Sequence, residues 1–267
     1  MMRKFVTSIL PFFAVAAIAV AVLIAFSFTN SYVARFTQRV PQGVIYTGDL
    51  SGKTQLALDA DTLFGSNMMN ISAGTFVDSM LAQNPSGPRA TASNTMSISL
   101  DAKNTGVSMF GSAVNQIQKE IPSYTETDLK TVPDTQQSLD AFAQGFIAAV
   151  NHNLVPFKGK DILELSYQIE TNNDADARKT LIAYVDATQH MINATKAMDI
   201  PQSWGQTMTQ YLNLMAQIRY TALALLVQQS DPLRATIMTY NYQTLLSKTA
   251  QVGSAIQTGM QKLGYAI

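Results

Sequence analysis

The chain has 267 residues, equal numbers of acidic and basic side chains, no cysteine and only 13% charged residues. That length suits one medium domain or two small ones. Neutrality with scattered Lys and Arg gives no field to gather nucleic acid, and the lack of Cys excludes disulfides, thiolate nucleophiles and Cys-ligated zinc.

Arg3 and Lys4 precede an almost wholly apolar run, Phe5 to Phe28, interrupted only by Thr7, Ser8, Pro11 and Ser27. As a helix it would reach about 36 Å, against a hydrocarbon core of roughly 30 Å. The expectation is an uncleaved transmembrane anchor over residues 5–28, with residues 1–4 as a cytoplasmic tail and helix continuing to about residue 40. The protein would then be single-pass in the cell membrane, N-terminus inside and C-terminal domain extracytoplasmic. A cleaved leader is the competing reading: Ala25-Phe26-Ser27 is a small-x-small site, and the product would be secreted.

Thr47–Thr54, "TGDLSGKT", imitates a phosphate-binding loop. Gly48 and Gly52 have three residues between them where that loop needs four, and the sequence that follows alternates like a strand instead of opening a helix. A turn using Gly48, Asp49 and Gly52 is expected, and no nucleotide.

Residues 44–106 read as a mixed membrane-proximal region. "TQLALDADTLF" and "NTMSISLDAKN" alternate as strands, "NISAGTFVDSMLAQ" suggests a short helix, and "NPSGPRATASN" a loop. A small sheet or hairpin and a partly ordered stalk are both compatible with that pattern.

From residue 107 to 267 the helical period dominates, and the fold class is mainly α with a C-terminal antiparallel helical bundle. Met109, Val114 and Ile117 suggest a helix stopped by Ile121-Pro122. Asp134 is placed to cap the next helix, whose stripe is Leu139, Phe142, Phe146 and Val150. "VPFKGK" breaks it and "DILELSYQIE" forms another. Three long stripes with alternating steps of four and three follow, from Ala177 to Met198, Trp204 to Leu225 and Met238 to Gly259. The short connections "MDIPQ" and "QQSDP" make consecutive helices antiparallel. Pro201 and Pro232 stand where a first helical turn tolerates them, with Asp231 as a cap.

This layout resembles a group of envelope proteins from bacteria of the candidate phyla radiation that have one N-terminal span and no assigned activity. The residues that carry the resemblance are Tyr124 with Asp128 and Leu129, "DIPQSW" at Asp199–Trp204 and "SDPLRA" at Ser230–Ala235. The chain departs from that pattern at Gln206–Gln210, where a histidine is expected. The resemblance implies an anchored bundle and no function.

No catalytic, cofactor or metal site is expected. His152 and His190 fall on separate helices, and "DADTLFG" starts like a calcium loop but puts Leu63 at a ligand position. Trp204, Met208, Tyr211, Met215, Tyr240 and Tyr242 are the candidate interaction or cleft residues. Their heptad spacing favours bundle core, and a ligand cleft between the last three helices is the alternative. The functional expectation is a membrane-anchored scaffold or interaction module with a protein partner. A small-ligand or sensor-accessory domain and an enzyme are the other classes.

Overall fold

The computed structural model describes residues 50, 60–85, 89–90, 96–97 and 100–265, and the chain there is mainly helical. Phe5–Phe28, its continuation to Gly43, and Thr47–Thr54 apart from Leu50 lie outside the described residues. Among the described residues no helix is long and apolar enough to cross a membrane.

The described residues divide into two compact units, with one boundary after Asn67 and another after Gln116. The unit of residues 68–116 holds helix α2 (Met68–Gln83), a two-residue antiparallel hairpin β1–β2 (Arg89–Ala90, Met96–Ser97) and most of α3 (Ala102–Glu120). Asp101 starts α3: its Oδ1 accepts from the Asn104 amide at 3.1 Å, satisfying a donor the helix leaves open. Gln83 joins the end of α2 to the start of α3, donating to Thr105 Oγ1 at 3.1 Å and accepting from the Asp101 amide at 2.6 Å. The helix expected in "NISAGTFVDSMLAQ" is α2. Of the strand expected in "NTMSISLDAKN", the described residues show Met96–Ser97 as a strand, and α3 takes the sequence over from Ala102.

The second unit holds Leu50, residues 60–67 and everything after Gln116. Its first described element, α1 (Ala60–Phe64), corrects the last part of the strand expected in "TQLALDADTLF". Ala60, Leu63 and Phe64 are all buried, and their i, i+3, i+4 spacing fits one face of a helical turn, which outweighs the alternation. Next come β3 (Lys130–Val132), α4 (Gln136–Asn153), α5 (Ile162–Asn172), α6 (Ala175–Ala197), β4 (Asp199–Pro201), α7 (Gly205–Leu226) and α8 (Pro232–Lys262).

Local chemistry sets the ends of these helices. Thr135, not Asp134, caps α4: its hydroxyl accepts from the Ser138 amide while Ser138 Oγ accepts from the Thr135 amide. Asp134 instead accepts from the Ser203 amide at 3.2 Å. Asp161 and Asp174 cap α5 and α6, and Asn173, in the left-handed region at φ 50°, ends α5. Asp231 caps α8 with Pro232 in its first turn, as the sequence implied. Pro201 stands just before a helical turn, Gln202–Trp204, that runs into the helix starting at Gly205. It closes β4, which pairs in parallel with β3 in the register Lys130↔Asp199, Thr131↔Ile200 and Val132↔Pro201. Lys130 and Asp199 extend the pairing with an exposed ion pair at 2.6 Å.

Helix α7 is the axis of this unit, packing along both α6 and α8. From Leu214 to Val227 nearly every side chain is buried, whereas α6 and α8 keep polar outer faces. Burial on all sides is the expected state of a helix this short of charge. An aromatic chain fills one end: Trp204 meets Phe142 at 5.1 Å, Phe142 meets Phe146 at 5.9 Å, and Phe146 meets Tyr211 edge-on at 5.3 Å. Gly259 of α8 lies directly beneath the indole, where a Cβ would stand 2.5 Å from Trp204 Cη2.

Candidate functional site

Two polar centres are built into the second unit. The first surrounds Arg234, in the first turn of α8, whose side chain is wholly buried. Its guanidinium pairs with Glu120, the last residue of α3, and through Nε with Asp231 Oδ2 at 3.0 Å. Nη2 donates to the Ser66 carbonyl at 2.9 Å and Ser66 Oγ at 3.0 Å, and Nη1 also meets the Tyr220 hydroxyl. Tyr220 donates to Glu120 Oε2 at 2.6 Å, and Ser66 Oγ donates to Glu120 Oε1 at 2.5 Å. The Phe64 ring covers the guanidinium at 3.9 Å from its centroid.

Burial works against the charge on Arg234, but Tyr220, Glu120 and Asp231 together hold its pKa above the ordinary value. Burial is also the main cause that raises the Tyr220 pKa, against the lowering effect of Arg234. A charge cluster sealed this completely offers no surface to a substrate. What it does is join residues 60–67 to α7 and α8. Ser230 and Asn67 strengthen the same joint: Ser230 Oγ accepts from the Ala60 amide at 3.2 Å, and Asn67 Nδ2 donates to the Ser230 carbonyl at 2.8 Å.

The second centre surrounds Arg219 of α7, buried close to Asp186 of α6. Burial pushes its pKa down to about 10, with Asp186 opposing that shift. Asp186 Oδ1 also accepts the Leu50 amide at 2.9 Å, so one carboxylate fixes a residue of the early chain on the bundle. Nearby, Asn213 grips the backbone of Tyr124 in both directions, accepting from its amide at 2.7 Å and donating to its carbonyl at 2.9 Å. A cavity of about 20 Å³ lies here, lined by Pro122, Tyr124, Gln189, Ile192, Ala216, Arg219 and Tyr220. It has room for about one water molecule.

The six candidate cleft residues separate into two groups. Trp204, Met208, Tyr211, Met215 and Tyr242 are interior side chains of the packed bundle, while Tyr240 is 83% exposed. On a helix, Tyr240 and Tyr242 lie about 200° apart, so burying one turns the other to solvent. Burial raises the Tyr211 pKa, and it pushes Tyr242 up to about 12 with Asp161 adding to the effect. The Tyr211 hydroxyl has no hydrogen-bond partner among the described residues. His152 sits in the last turn of α4, where a cation suits the helix dipole, and His190 is exposed on α6. Among the described residues, no group of three His, Asp or Glu is placed to hold a metal ion.

The Arg234 centre went unread in the sequence, although two signals point to it. Arg234 lies four residues before Met238 and Glu120 three after Ile117, so each shares a helical face with a core residue. In a chain this poor in charge, a charged residue on the same helical face as a core residue is a candidate for a buried pair.

Fold and polar centres together define a mainly α protein in which, among the described residues, a charge cluster around Arg234 is sealed inside and joins separate segments of the chain. No protein family, curated protein or solved structure matches the chain.

Proposed function

We propose that the chain is a membrane-tethered helical scaffold or interaction module of the cell envelope, acting by binding and not by chemistry. The observation that carries this reading is the filled interior between α6, α7 and α8. Met191, Met208, Leu212 and Leu223 are wholly buried there, and the cavity beside Arg219 has the size of one water. Ligand pockets for drug-sized molecules run to roughly 300–1,000 Å³. A bundle packed in this way presents its surface, not a cleft, to other molecules.

The tether rests on the sequence of Phe5–Phe28, uncharged and long enough to span a bilayer. In this reading the helical units stand on the side of the membrane opposite Arg3 and Lys4. Alkaline carbonate extraction of membranes, followed by protease treatment of intact cells, tests both parts. The expected result is a chain that stays in the membrane pellet and whose helical units are cut from outside. Release into the carbonate wash, or full protection in intact cells, would remove the tether or reverse its orientation.

A further inference from the structure

The chain leaves the second unit after Asn67 and returns to it at Ile117. Ser66, just before the first crossing, and Glu120, just after the second, are 54 residues apart, yet Ser66 Oγ donates to Glu120 Oε1 at 2.5 Å. Arg234 holds both ends: Nη2 donates to the Ser66 carbonyl and hydroxyl, and Nη1 pairs with Glu120. Asp231 and Tyr220 hold the guanidinium in turn. Asn67 adds its bond to the Ser230 carbonyl, and Ile117 is buried. Every partner named here lies in the second unit itself.

We propose that residues 68–116 are an insertion whose two ends are clasped by Arg234, and that the second unit keeps its fold when the insertion is cut open. The proposal stands apart from the membrane tether and from the scaffold reading. A guanidinium keeps its charge when buried, and parting it from buried Glu120 and Asp231 is strongly unfavourable, so the clasp stays closed while α7 and α8 are packed. With the ends held, the entropy of closing the stretch between them grows only with the logarithm of its length. What that stretch contains therefore bears weakly on the unit that holds it. Places where the chain leaves and re-enters a fold side by side are those at which whole domains are accepted as insertions. The clasp also sets an order: Arg234 belongs to α8, so the ends are fastened only once that last helix is in place.

The test cuts the full chain, solubilised in detergent, at a specific protease site inserted between β1 and β2, and follows amide hydrogen exchange by mass spectrometry. After the cut, α1, α6 and α7 are expected to exchange within about threefold of their rates in the uncut chain. The clasp is then a joint between two fragments. Ser66→Ala removes the hydroxyl that links the two ends. In the cut chain it should raise exchange at residues 60–67 at least about tenfold, the factor of one hydrogen bond to a charged group, and leave α6 within about threefold. Loss of protection across α6 and α7 on cutting would overturn the proposal, because residues 68–116 would then belong to one cooperative fold with them. So would unchanged exchange at residues 60–67 in the cut Ser66→Ala chain, which would leave the clasp without a role. A chain that fails to fold once the site is inserted would overturn it as well, since a closed insertion tolerates added length.

Discussion

Helices α7 and α2 are both poor in charge, yet they end in opposite conditions. Around α7 the neighbouring helices close on every side, and even Arg219 is taken into the interior. Along α2 one side is covered and the other leaves Val77 and Leu81 in contact with solvent. The difference teaches that composition alone does not fix burial; the number of helices available to close around an apolar rod does. It also separates the tasks of the two units. Among the described residues, the second unit closes around its apolar helix, whereas α2 keeps Val77 and Leu81 exposed.

The strongest way to break this comparison is to open the finished core. Arg234→Met leaves Glu120 and Asp231 buried without their countercharge, at an expected cost of about 3–5 kcal/mol in unfolding free energy. Urea titration measures it, and a loss below about 1 kcal/mol would place the cluster outside the cooperative core. Gly259→Ala is expected to cost about 1–3 kcal/mol, because the new methyl meets an indole already packed against Phe142. Its control is Gly253→Ala on the same helix, where the space is open and the better helix former gains up to about 1 kcal/mol.

The buried phenols sharpen the comparison through pH. In the unfolded chain a tyrosine ionises near pH 10, whereas burial holds Tyr211, Tyr220 and Tyr242 protonated to higher pH in the folded state. The unfolded state therefore loses protons first, and this contribution to stability is present below pH 10 and falls as pH rises beyond it. For Tyr242 the decline runs to about pH 12. Thermal unfolding of Tyr242→Phe between pH 9 and pH 11 should show a shallower fall than the parent chain; an identical slope would contradict burial of that hydroxyl. At the small end, Leu81→Asp on α2 should change stability by no more than about 0.5 kcal/mol, since the side chain is already in water.

Much of the bundle was legible because long stripes repeat a signal. Ala177 to Met198 and Trp204 to Leu225 each give six consecutive steps on one face, enough to define a helix and its core side. The pairing of Lys130–Val132 with Asp199–Pro201 was not legible, because three residues hold no measurable alternation and the partner lies far along the chain. Ala60–Phe64 misled for a related reason: the alternation that suggested a strand lies in the residues just before it, and five residues are too few to show a helical period of their own. Thr135 displaced Asp134 as the cap of α4 because Ser138 was available to complete a reciprocal pair. The Arg234 cluster stayed hidden because its members come from four segments, and only Asp231 and Arg234 are close in sequence.

Native mass spectrometry of the detergent-extracted chain bears most directly on the claim that the bundle is filled and works through its surface. The account predicts a mass at a whole multiple of the 29.0 kDa chain, with nothing small held inside. A stoichiometric adduct that leaves only when the helices unfold would contradict it, because the proposed function rests on Met191, Met208, Leu212 and Leu223 filling the interior.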